Sequence, residues 1–81
     1  MVEAIMVENY LGELVGRCGN KRMAASYSLV SVSTIDNILR HQTAWIQSTT
    51  ARRILLALEH KREEDRFAAE NMKRRRAVRT S

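Results

Sequence analysis

Apolar residues recur along this chain at spacings of three and four, in separate blocks divided by glycine, serine and asparagine. That period predicts helices with one buried face, and nowhere do apolar and polar residues alternate over a strand-length run. In residues 2–15, Ile5, Leu11, Leu14 and Val15, helped by Ala4 and Val7, make an apolar stripe, while Glu3, Glu8 and Glu13 mark the wet face. Gly16 and Gly19 flank Arg17 and Cys18 and read as a helix stop and loop. Asn20 is placed to cap a second helix over 21–27, in which Ala25 sits where two helices touch closely. Val30 reads as a buried turn residue, and Ser31 caps a third helix over 32–40. There Ile35 and Ile38 share one face, and Val32, Ser33, Asp36, Asn37 and Arg40 are left on the other. Residues 41–47 read as a loop in which Ile46 plugs the core. Trp45 suits either packing at the rim of the core or lying against a sugar–phosphate backbone. Ser48 or Thr49 caps a fourth helix whose stripe is Ala51, Ile54, Leu55 and Leu58.

Beyond Leu58 the pattern changes. The run HKREEDR has no apolar residue where the stripe would continue, yet His60/Glu64, Lys61/Asp65 and Glu70/Arg74 are four apart and favour helix. Phe67, Ala68, Ala69 and Met72 then form a second, smaller apolar patch. Such a patch either folds back onto the globule or meets a second subunit, which makes Phe67 and Met72 candidate dimer contacts. KRRRAVRTS reads as a basic, frayed tail. The expectation is an all-α domain of four to five helices with a helix-turn-helix and an extended C-terminal helix. It divides into a domain over 1–58, with the motif at about 21–40, and a charged extension over 59–81.

Length and composition narrow the function. Eighty-one residues bury one modest core, with no room for both a cofactor cavity and a catalytic apparatus. The single cysteine, Cys18, excludes an internal disulfide and reads as a small buried hydrophobe. There is no apolar run of membrane-spanning length and no basic-then-apolar leader, so the expected compartment is the cytoplasm. His41 and His60 lack companions at metal-ligand spacing, Ser31 and Ser33 lack a paired base, and no glycine-rich phosphate loop occurs. No enzyme, metal, cofactor or small-molecule ligand is expected.

The net charge of +5 is unevenly spread. Residues 1–16 hold three glutamates and no cation. Residues 17–62 hold eight basic residues against Asp36 and Glu59, and residues 63–81 hold six basic against four acidic. Positive charge therefore gathers around the two short central helices, as it would where DNA phosphates lie.

Two helices, a short turn and a polar face free of bulk form the plan of a helix-turn-helix. The segment ASYSLVSVSTIDNIL resembles the helix-turn-helix of lambda-repressor/Cro-like and lac-repressor-like DNA-binding domains, with Ala25, Val30, Ser31, Thr34, Ile35 and Ile38 in register. IQSTTARRILLAL is similar to the helix that follows the motif in those domains, so the likeness covers roughly residues 20–58. One departure is Leu29, where the family has glycine at positive φ. A non-glycine residue there costs roughly 1–2 kcal/mol, so either the turn opens slightly or Leu29 gains burial.

The resemblance implies a homodimer on double-stranded DNA, a bacterial or phage repressor of Cro type that acts by occluding its operator. Side-chain chemistry nominates Ser31, Val32, Ser33, Asp36, Asn37 and Arg40 for base contacts: an amide for adenine, a guanidinium for guanine, a methyl for thymine. Asp36 can instead hold Arg40, four residues on. Lys21, Arg22, Thr34, Gln42, Thr43, Arg52 and Arg53 are nominated for phosphate contacts. Two other readings suit the same fold. One is a protein-interaction module such as an antitoxin, a phage packaging adaptor or an inhibitor of a host regulator; the other is a nucleoid protein without sequence preference.

Overall fold

The structure is a computed structural model. It describes the backbone of residues 1–79 and the side chains through Asn71, so Met72 and the side chains of the basic tail lie outside the described residues. The fold is all-α, with four helices among the described residues: α1 (Ile5–Cys18), α2 (Lys21–Ser28), α3 (Val32–Leu39) and α4 (Ser48–Arg79). Two short strands accompany them. β1 (Val2–Glu3) pairs antiparallel with β2 (Trp45–Ile46), with Val2 opposite Ile46 and Glu3 opposite Trp45. The Ala4 N–H donates to the Ala44 carbonyl at 2.9 Å, extending this ribbon by one bond.

The ribbon shifts α1 relative to the sequence expectation. Backbone pairing takes Val2 and Glu3, so the helix starts at Ile5 and runs three residues past Val15. Gly16 lies inside it, and Gly19, at φ 102°, is the residue that ends it, its N–H donating to the Val15 carbonyl. The buried row is Ala4, Val7, Leu11 and Leu14, continued by half-buried Cys18. Ile5 stands a hundred degrees round from Ala4 and is 68 % exposed, which corrects its expected place in the stripe. Burial pushes the Cys18 thiol above its ordinary range.

Asn20 caps α2, its side-chain oxygen accepting the Met23 N–H at 2.8 Å. Ala24 is the fully buried small residue of this helix. Ala25, expected there, packs at the edge of the core. Ser28 is buried too, and its hydroxyl is satisfied by the Ala24 carbonyl. Ser31 caps α3 by accepting the Thr34 N–H, and Ile35 and Ile38 enter the core with Val30 beside them. Arg40 ends α3 one residue earlier than expected. α4 begins at Ser48 itself, so the capping position falls to Gln47, whose carbonyl accepts the Ala51 N–H.

α4 buries Ala51, Ile54, Ala57 and Leu58. Leu55 is exposed, a second correction: the face that meets α1 and α2 passes through Ala57 instead. The helix continues unbroken past Leu58 and lies along α1 through Asp65. Arg62 and Arg17 both bind Glu13, and Arg17 also donates to Asp65 at 2.7 Å. Lys61, next to Arg62 in sequence, sits over the Tyr27 ring. The extension is thus a continuation of α4 that contacts α1 as far as Asp65, and the expected fold-back of the second apolar patch is not seen at Phe67, Ala68 and Ala69, which are exposed, Phe67 at 65 %.

Candidate nucleic-acid interface

The turn between α2 and α3 sets the geometry of the site. Leu29 adopts the left-handed conformation, φ 61° and ψ 31°, and its N–H and that of Val30 both donate to the Ala25 carbonyl. The Leu29 side chain points outward, 76 % exposed. Neither expected remedy operates, since the turn stays closed and the side chain gains little burial. Instead the surroundings hold the turn. Val30 is buried behind it, and Arg53 of α4 donates to the Leu29 carbonyl at 3.4 Å. The strain is carried by a glycine-like backbone on a leucine.

With the turn closed and Ile35 and Ile38 inward, α3 presents Val32, Ser33, Asn37 and Arg40 to solvent. Ser31 is exposed as well, though its hydroxyl is engaged by the Thr34 N–H and by the Thr34 hydroxyl at 2.7 Å. Asp36 is half-buried between two cations. Lys21, from the first turn of α2, donates to Oδ1, and Arg40 reaches Oδ2 at 3.1 Å. The Lys21 hydrogen bond, with Arg40 next, holds the Asp36 carboxyl below its usual range. The acid that would repel phosphate is thereby embedded in a group of net positive charge. Lys21 and Asp36, nominated for different contacts, are partners of each other.

Trp45 divides two hollows at the far end of α3. On one side a polar hollow of about 360 Å³ is lined by Thr34, Asn37, Thr43, Gln47, Thr50 and Trp45. Gln47 and Thr50 were not nominated from sequence; their signal is the first turn of a helix, whose free N–H groups favour phosphate. Thr43 is fixed there by donating its hydroxyl to the Trp45 carbonyl at 2.9 Å. On the other side lies a hollow of about 320 Å³ with Ile5, Glu8, Ile38 and His41 in its wall. His41, at φ 60°, reaches Glu8 with Nε2 at 3.0 Å and ties the end of α3 to α1. Trp45 itself is 54 % exposed, at the rim rather than in the core.

Of the remaining nominated cations, Arg22 is exposed at the start of α2, and Arg52 and Arg53 are exposed on α4, with Arg53 committed to Leu29. Gln42 is exposed just past α3. Among the described residues no cluster of three or more histidine, cysteine or acidic groups could hold a metal, and no helix is long and apolar enough to cross a membrane. Comparison with protein-family models, with curated proteins and with solved structures returned no match to this chain.

Proposed function

We propose that this chain binds duplex DNA as a two-fold pair, with α3 as the reading helix, and represses transcription by covering its operator. The observation that supports this most is the division of α3 into two faces. Ile35 and Ile38 anchor it, while Val32, Ser33, Asn37 and Arg40 are exposed to solvent. A helix held by one face, with short polar side chains on the other, fits a major groove. Asn37 suits an adenine edge, Val32 a thymine methyl, and Arg40, steadied by Asp36, a guanine or a phosphate. Arg22, with Lys21 beside it, and the polar hollow around Thr34, Thr43 and Gln47 supply backbone contacts that fix register.

Selection of bound fragments from a random duplex pool tests the reading. The expected product is a palindrome with half-sites about one helical turn, roughly 34 Å, apart. Its affinity should fall steeply with salt in proportion to the phosphates engaged. Recovery of no consensus, with weak unselective retention, would overturn it and favour a protein-binding role.

A further inference from the structure

The outer side of α4 carries exposed residues at alternating spacings of three and four: Arg53, Leu56, His60, Glu63, Phe67 and Glu70. The residues of α4 that face the globule, Ile54, Leu58, Lys61 and Asp65, lie on the opposite side of the same helix. A second helix laid along the outer row would meet the globule only at its near end, beside Tyr27 and Leu29. Three-four spacing is the seam of a two-helix contact.

The chemistry of this row is complementary to its own reverse. Run antiparallel, Arg53 comes opposite Glu70, Leu56 opposite Phe67, and His60 opposite Glu63, each twice by symmetry. Alongside the seam, Glu59 comes opposite Arg66. A parallel alignment would set Arg53 on Arg53 and Glu63 on Glu63, which repel. We propose that α4 is the dimerisation element of this protein, pairing antiparallel with α4 of a second copy about an axis between His60 and Glu63.

The apolar contact has a seat prepared for it. Beside Leu56, between the end of α2 and α4, a mostly apolar groove of about 360 Å³ is walled by Tyr27, Leu29, Ala57 and His60. Phe67 of the second copy arrives at this groove, and Leu29 and Leu56, both exposed in the single chain, are covered by it. Arg53 keeps donors for Glu70 beyond the one it gives Leu29. Two Leu56–Phe67 contacts in a polar seam make a modest interface, so the pair exchanges readily with monomer. The inference takes from the proposed function only the two-fold pair. Its test contains no DNA, so the interface and the DNA reading can fail separately.

Sedimentation equilibrium of the full chain over a range of concentrations is the measurement. The wild type is expected to show a reversible monomer–dimer equilibrium. Phe67→Ser should weaken it roughly tenfold or more, with far-UV helicity of the monomer little changed because Phe67 is largely exposed in its own chain. Glu59→Arg and Arg66→Glu should each weaken it several-fold, and the double swap should restore it. Three results would overturn the proposal: a wild type monomeric up to about 1 mM, a Phe67→Ser dimer as tight as wild type, or a double swap no better than its single variants.

Discussion

Arg62 grips Glu13 with two guanidinium nitrogens, Nε on Oε2 at 2.6 Å and Nη2 on Oε1 at 2.7 Å, and so binds α4 to α1. Arg17 adds a third bond to the same carboxylate at 2.9 Å. A forked pair of this kind is directional as well as attractive.

The grip gives an acid dependence of known sign. The Arg62 hydrogen bonds, then those of Arg17, lower the Glu13 carboxyl from 4.5 to about 2. A depressed carboxylate contributes stability above its unfolded value and loses it as pH falls through the folded one. Wild type should therefore melt higher than Glu13→Gln at pH 6, and the difference should shrink between about pH 4.5 and pH 2. Thermal melts of both proteins across that window check it, and a gap that stays constant would contradict it.

Leu29→Gly should stabilise the protein by about 1 kcal/mol, because the left-handed backbone is retained and little burial is lost. For a chain this size that is a rise in Tm of roughly 4–8 °C. Leu29→Val, with a branched side chain at the same φ, should lower it. Denaturant melts of the three chains give the comparison.

The two faces of the helices predict opposite outcomes for isoleucines of the same size. Ile54→Ala, at a fully buried site, should cost about 2–5 kcal/mol. Ile5→Ala should change stability by no more than about 0.5 kcal/mol. Equal losses at both positions would place Ile5 back in the core.

On DNA, Asn37→Ala should lower discrimination between the best site and its single-base variants by about 1–3 kcal/mol at one position. Arg22→Ala should weaken all sites alike and reduce the salt slope by about one. Lys21→Ala should weaken binding more than Arg22→Ala, since it also leaves Asp36 with Arg40 alone. Competition binding at two salt concentrations separates these three.

Much of this architecture was legible in the chain because it is local. Asn20 and Ser31 cap by bonding backbone three residues away, and Ile35 and Ile38 are paired by helical pitch alone. What escaped depends on residues far apart. Val2 and Glu3 look helical in isolation and are extended because Trp45 and Ile46 lie beside them. Leu55 and Ala57 exchange places because α1 and α2 select which side of α4 is covered, and no periodicity within α4 contains that choice. The same holds for the site. The exposed row of α3 follows from spacing, whereas the Lys21–Asp36 pair and the hollow holding Gln47 and Thr50 arise only when separate segments meet.

The pairing of Val2 with Ile46 also imposes an order of assembly. During synthesis α1, α2 and α3 can coil as soon as they emerge, but the ribbon that anchors the beginning of α1 must wait until Ile46 has left the ribosome. The contacts of α1 with α4 come later still, since Arg62 is made after every residue of the first three helices. A translating chain therefore holds an incomplete core, with Leu11 and Leu14 awaiting Ile54, until the first turns of α4 have emerged.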